Sequence, residues 1–300
     1  MILLLLITNQ IADMQAAPLW DPTQCQFVGM LKVTDFIDIL RHFKRTNGDV
    51  SSLATRSIAD MIKDPSISAA VNLTFGFPAA DSSTSLKQAC KLLLAYSSSK
   101  SNNPPDAADA IDGKKTRLDF LPIVMPEDMR VLACITYTNI LEHLVTHFRE
   151  TRRLFDDSIY DLKIGTYHEN LVKVAPEESL ARALDLMHDH ELSAIPVVDP
   201  ATDRLVGVYS RSDITFLTRA TDAEDAVANL DMTLKDVLEQ QRTDVTTPDA
   251  LQWCSPSNTL QSIFENFAQL RFNRLFVKDN ADRLVGVVSA KDLVEYFMID

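Results

Sequence analysis

The sequence predicts an α/β protein assembled from four tandem strand–turn–strand–helix repeats, and three observations predict it. One local grammar, an apolar strand, a polar turn, a second apolar strand and a helix, occurs four times along the 300 residues. The junction between second strand and helix carries an anchoring polar residue each time, at Asp35, Asn139, Asp213 and Asp292. Amphipathic helices also stand upstream of three of the four copies, at Ser85–Tyr96, Ser179–His190 and Thr259–Leu270. Units this small cannot bury their own apolar faces, so they must pack on one another.

The third copy is the clearest. Its strands are Ala194–Asp199 (AIPVVD) and Leu205–Tyr209 (LVGVY), joined by a turn at Pro200–Asp203 and followed by Ser210-Arg211-Ser212-Asp213 and a helix from Ile214. The fourth matches it with Arg274–Asp279 (RLFVKD), Leu284–Val288 (LVGVV), Ser289-Ala290-Lys291-Asp292 and a helix to Met298. The first reads Ala17–Asp21 (APLWD), Phe27–Leu31 (FVGML), Lys32-Val33-Thr34-Asp35 and a helix through Phe43. The second reads Leu121–Val124 (LPIV), Val131–Ile135 (VLACI), Thr136-Tyr137-Thr138-Asn139 and a helix through Phe148. Leu180, Ala183, Leu184 and Met187 share one face of the helix before repeat three. Repeat one lacks this upstream helix and reads as an N-terminally truncated copy.

These repeats divide the chain into 1–47, 48–150, 160–222 and 232–300. Within the second, residues 97–115 (SSSKSNNPPDAADAIDGKK) are rich in Ser, Asn, Pro and Asp and read as a flexible insertion. Residues 221–231 read as a shorter acidic connection. The net charge of −13 argues against non-specific nucleic-acid binding, which needs clustered Lys and Arg. Cys25, Cys90, Cys134 and Cys254 are widely spaced, with no Cys-x-x-Cys, so reduced thiols are expected rather than a disulfide framework or zinc site. The opening MILLLLI lacks a basic flank and is too short to span a bilayer, so a buried strand or helix end is favoured over a targeting remnant. No membrane insertion is expected.

Two readings compete at the strand–helix junctions. Ser210 with Asp213, and Ser289 with Asp292, fit a capping box in which Ser is the N-cap and the acid sits three residues on. The same place suits a ligand, because a carboxylate there can accept ribose hydroxyls while nearby backbone N–H groups favour an anion. No phosphate-cradling glycine loop, nucleophile elbow or acid pair occurs. His143 and His147 have a metal-compatible spacing but lack a third ligand, so no metal is expected, and His188 and His190 read as a cationic helix cap.

The runs AAPLWD (16–21), FVGMLKVTDFIDIL (27–40), IGTY (164–167), SAIPVVD (193–199), VYSRSDI (208–214) and GVVSAKDL (286–293) closely resemble the γ subunit of AMP-activated protein kinase. That resemblance covers nearly the whole chain outside the insertion. It implies four CBS repeats of βαββα type, in two paired modules forming a flattened disc. It implies AMP, ADP or ATP as regulatory ligands and assembly with a catalytic alpha subunit and a beta scaffold subunit. Residue by residue, Asp35, Asp213 and Asp292 match the family's ribose-binding acids. Thr166 matches the base-pocket threonine of the third repeat, Leu192, Ser193 and Ala194 its apolar wall, and Leu251 the pocket leucine of the fourth; Ser210 and Ser289 complete the nucleotide-binding set.

The phosphate-facing cations of that family are mostly replaced. Gln15 stands for the arginine before AAPLW, Asp119-Phe120 for a His-Arg pair, and Tyr137-Thr138-Asn139 for further basic residues. Asn273-Arg274 keeps half of a second His-Arg pair, and Arg242 corresponds to a further cation. Each charge-assisted phosphate contact contributes about 1.5–3 kcal/mol, and about 1.4 kcal/mol is tenfold in affinity. Weak or single-site nucleotide binding is therefore expected of a non-catalytic regulatory subunit in the cytoplasm, with the nucleus as a second compartment. The alternative is a CBS-repeat scaffold that binds no nucleotide; an enzyme with attached CBS repeats leaves no residues for a catalytic domain.

Overall fold

A computed structural model describes residues 16–23, 25–54, 56–70, 74–75, 78–97, 120–147, 156–211, 213–218, 220–243, 252–270 and 273–298. The MILLLLI run, Gln15, Asp119, Leu251 and the insertion beyond Ser97 lie outside the described residues, as does the side chain of Arg242.

Repeat one supplies β1 (Ala16–Asp21), β2 (Gln26–Lys32) and α1 (Val33–Thr46), and the stretch after it supplies the short helices α2 (Ile58–Lys63) and α3 (Pro65–Ala70), and β3 (Thr74–Phe75). Repeat two supplies β4 (Ala80–Asp81), α4 (Leu86–Ser97), β5 (Phe120–Val124), β6 (Val131–Thr136) and α5 (Tyr137–His147). After β7 (Thr166–Tyr167) come α6 (Leu180–Asp189), β8 (Ala194–Val198), β9 (Leu205–Ser210), α7 (Thr215–Thr218), α8 (Ala223–Ala228) and α9 (Leu234–Thr243). The last repeat holds β10 (Trp253–Cys254), α10 (Leu260–Leu270), β11 (Arg274–Lys278), β12 (Leu284–Ser289) and α11 (Ala290–Met298). The expected α/β class and its elements are present.

The hairpins prove the repeat independently of side-chain identity. All four strand pairs are antiparallel and break register at the same place, between Leu19/Trp20, Ile123/Val124, Val197/Val198 and Val277/Lys278. Each turn then passes through one left-handed residue, Cys25 (φ 51), Met129 (φ 56), Asp203 (φ 58) or Asp282 (φ 64). A bulge adds local twist, and a single αL residue lets the second strand re-enter the ladder. The aspartate that ends the first strand holds the turn: Asp199 Oδ1 accepts the Ala201 N–H at 2.9 Å, and Asp279 Oδ1 accepts that of Ala281 at 2.9 Å.

Two compact units result, each drawing on two remote stretches of chain: 1–77 with 172–248, and 78–171 with 249–300. The strand hairpins of repeats one and three thus share one unit, and those of repeats two and four the other. In the first, Ile37 and Leu40 of α1 pack in one core with Leu180, Leu184 and Met187 of α6, Ile195, Tyr209 and Leu234. In the second, Leu93, Leu121 and Leu141 share a core with Leu260, Phe267, Leu275 and Leu293. Burying such a side chain stabilises by roughly 1.5–3 kcal/mol. Sheet order is β1-β2-β3 with β8-β9 in the first unit, and β4-β5-β6 with β10-β11-β12-β7 in the second.

Residues 221–231 are not a loose connection. Asp222 accepts the Asp225 N–H at 2.8 Å as N-cap of α8, and Glu224 and Asp225 lie in its first turn, where acids complement the helix dipole. The acidic run that reads as linker composition is N-terminal helix chemistry. All four cysteines are free. No described helix is long and apolar enough to cross a membrane.

Candidate functional site

The four anchoring residues sit where the strand–helix grammar puts them, and three of them cap their own helix. Asp292 Oδ2 accepts both the Ser289 N–H and the Ser289 hydroxyl at 2.7 Å, while the Asp292 N–H donates to Ser289 Oγ at 3.2 Å. Asn139 repeats this with Thr136, accepting its N–H at 3.1 Å and hydroxyl at 2.7 Å. Asp35 accepts the Lys32 N–H at 2.7 Å. Asp213 differs: helix α7 begins only at Thr215, so Ser210 is the last residue of β9 and not an N-cap. The Asp213 N–H instead donates to the Ser210 carbonyl oxygen at 3.0 Å.

Four of the candidate residues come together in the second unit. β7 pairs antiparallel with β12, placing Thr166 opposite Val287, and β11 places Arg274 opposite Ser289. Thr166, Arg274, Ser289 and Asp292 therefore lie on adjoining strands and the first turn of α11. Thr166 is exposed, and the other three are half-buried. Both cap bonds of Asp292 fall on Oδ2, so Oδ1 accepts no hydrogen bond among the described residues. Burial, with smaller contributions from Cys254 and Asp292, pushes the Tyr167 phenol above its usual range. The sequence reading set Thr166 in the pocket of repeat three; the structure sets it on the sheet of repeat four. Gly165 makes that possible, since its φ is +105 and a Cβ there would lie 2.6 Å from the Val287 carbonyl oxygen.

In the first unit, Leu192, Ser193 and Ala194 lead into β8, and the Ser193 carbonyl oxygen accepts the Arg211 N–H at 2.8 Å. Ala194 stands opposite Ser210. Ser193 and Ala194 thus adjoin the Ser210–Arg211 end of β9. The Asp213 carboxylate, however, accepts a hydrogen bond from the side-chain amide of Gln241 on α9. Gln241 escaped the sequence reading although the adjacent Arg242 was singled out, because a helical residue's partner across the fold leaves no trace in spacing.

A buried ionic cluster is the other feature the sequence concealed. Asp38 and Arg41, each 3 % exposed, lie on the buried face of α1. Asp38 pairs with Arg211, and Arg41 Nη1 donates to Asp185 Oδ1 at 3.0 Å. Arg41 Nε and His188 Nδ1 stand 3.7 and 3.8 Å from Asp38 Oδ1. The legible signal was a charged i,i+3 pair inside the apolar run of α1. His188 is not the cationic helix cap its position suggests: burial, and then the Arg41 charge, hold its imidazole below the usual range.

Asp35 is 2 % exposed. Burial, partly offset by Lys32, pushes its carboxyl from 3.8 up to about 6. The folded state therefore holds this proton more tightly than the unfolded chain does. The associated stability is full below pH 3.8 and is lost as pH rises through about 6. At roughly 1.4 kcal/mol per pH unit of displacement the loss is on the order of 3 kcal/mol. Asp35→Asn keeps an acceptor for the Lys32 N–H, as Asn139 does for Thr136. It is expected to be more stable than the parent at pH 7.5 and flatter between pH 4 and 6.5 in urea denaturation; an unchanged slope would contradict this assignment.

His143 and His147 stack with ring centroids 4.2 Å apart, and His147 Nδ1 lies 2.9 Å from the His143 carbonyl oxygen. No group of three or more metal-capable side chains occurs among the described residues.

Against known proteins, the CBS domain family profile matches residues 164–218 and 242–299. The chain is 26% identical over 291 residues to the 5'-AMP-activated protein kinase subunit gamma of Dictyostelium discoideum, covering 95% of this chain and 46% of that protein. It is 26% identical over 295 residues to the human subunit gamma-3, covering 95% and 52%. The chain spans about half the length of the curated relatives it matches. A Methanocaldococcus jannaschii protein, described as a candidate archaeal homologue of that gamma subunit, superposes with a TM-score of 0.63 at 16% identity, over 99% of this chain and 91% of its own. An uncharacterized conserved protein from Pyrococcus horikoshii gives 0.51 at 16% identity, over 96% and 92%. Both structures support the fold of all four repeats.

Proposed function

We propose that this chain, a divergent CBS-repeat relative of the gamma subunits of 5'-AMP-activated protein kinase, is the non-catalytic regulatory subunit of a kinase assembly of that type. Its partners are a catalytic alpha subunit and a beta scaffold subunit, and its ligands are AMP, ADP or ATP, bound at fewer sites or more weakly than four repeats could offer. The observation that carries this reading is similarity to proteins named as gamma subunits along 95% of the chain. The gathering of Thr166, Arg274, Ser289 and Asp292 supports the nucleotide part: one cation for phosphate, a carboxylate oxygen for ribose hydroxyls and a threonine at the sheet edge. Reduced binding follows from the residues standing at the other phosphate-facing positions, Gln15, Asp119 and Phe120 among them. The assembly belongs to the cytoplasm, with the nucleus as a second compartment.

The second reading, a scaffold without nucleotide, is favoured by one observation, the burial of Asp35. Co-expression with kinase alpha and beta subunits, followed by AMP, ADP and ATP titration of the purified complex, separates the two. Stoichiometric co-purification with fewer than three occupied sites is expected. Failure to co-purify removes the subunit assignment, three sites at micromolar nucleotide removes the reduced-binding reading, and no binding at millimolar AMP selects the scaffold.

A further inference from the structure

The two units differ in what their junction carboxylates are doing. In the unit of repeats two and four, Asp292 spends one oxygen on its cap and the other accepts no hydrogen bond among the described residues. In the unit of repeats one and three, one acid is buried and the other meets a side chain from a different helix. Asp35 is buried, with Oδ2 on the Lys32 N–H and Oδ1 3.9 Å from the Lys32 ammonium. Asp213 accepts the Gln241 amide, and the neighbouring Arg211 guanidinium is held by Asp38.

We infer that the unit of repeats one and three is closed to nucleotide by its own side chains, with the Gln241 amide standing where a ribose hydroxyl would donate and Asp38 standing where a phosphate would meet Arg211. This rests on the nucleotide reading above and locates the remaining site at Asp292. The chemistry is direct competition. An amide N–H and a ribose O–H use the same carboxylate lone pairs, and a guanidinium neutralised by an aspartate offers a phosphate little further attraction. The internal donors are tethered, so they act at high effective concentration and a free ligand must displace them. Gln241 is the less costly of the two to remove. It is half-buried and neutral, whereas Asp38 is the centre of a buried ionic cluster.

The test is calorimetric titration of the purified full chain with AMP, with thermal denaturation of each variant as a check on folding. One site is expected in the parent, weakened at least tenfold by Asp292→Asn. Gln241→Ala is expected to bind a second AMP, and the pair Gln241→Ala/Asp213→Asn to lose it again. Gln241→Met, which keeps the side-chain length without the donor, serves if the alanine variant does not fold. Loss of the parent's site in Asp213→Asn overturns the inference. So does a folded Gln241 variant that binds no more AMP than the parent. A parent that binds no AMP speaks against the nucleotide reading alone; a Gln241 variant that then gains its first site still supports the internal closure, and one that gains none overturns that as well.

Discussion

Asp38→Ala is expected to destabilise the chain by about 3–5 kcal/mol, the range found when one partner of a buried ion pair is removed. Asp38 is the only acid in contact with Arg211 among the described ion pairs, and it also lies within 4 Å of Arg41 Nε and His188 Nδ1. Arg41 retains Asp185 at 3.0 Å, but Arg211, with 12% of its side chain exposed, would keep its charge without that carboxylate. A buried charge left uncompensated is the expensive outcome, more so than loss of the pair as a whole. Asp38→Leu combined with Arg211→Met should therefore recover much of the loss in urea denaturation of the full chain. A single-variant loss below about 1 kcal/mol would show that the cluster is solvated and not a structural hub.

Gly165→Val is expected to cost about 2–6 kcal/mol, summing backbone strain of about 1–3 kcal/mol with overpacking of similar size. A β-branched residue at φ +105 is strained in any surroundings, and here a Cβ would fall 2.6 Å from the Val287 carbonyl oxygen and 2.8 Å from Val288 Cγ2. The neighbour that would have to give is sheet backbone, which cannot swing aside as a long side chain can. Because Gly165 immediately precedes β7, the substitution should also detach Thr166 from β12 and weaken AMP binding at Asp292. Both are measurable on one preparation, by chemical denaturation and by titration. A variant with parental stability would mean that the β7–β12 pairing carries little.

Much of the fold was legible because repetition makes weak signals agree. The helix before β8 was marked by Leu180, Ala183, Leu184 and Met187, and all four are at most 2% exposed. The turns after the first strands of repeats three and four were marked in the sequence, and the strand-ending Asp199 and Asp279 hold them. Other features resisted for physical reasons. The acidic connection at 221–231 gave no sign of helix α8, because acids enriched at a helix N-terminus and acids enriched in loops share one composition. Ser210 was mistaken for an N-cap because its local pattern equals that of Ser289, and what separates them is where the helix begins.

Local pattern alone marked four repeats, their strands and helices, and the strand–helix position of each anchoring residue. All of these are periodicities or residue types at fixed local offsets. That the hairpins of repeats one and three share a unit, as do those of two and four, came from long-range packing, because it depends on which apolar faces meet. Packing also paired Thr166 with Val287 on β12, buried Asp35, and turned Asp213 and Arg211 toward partners in the chain itself. A carboxylate at a strand–helix junction has two oxygens and several possible donors. Which of them it meets is set by long-range packing, and no local pattern records it.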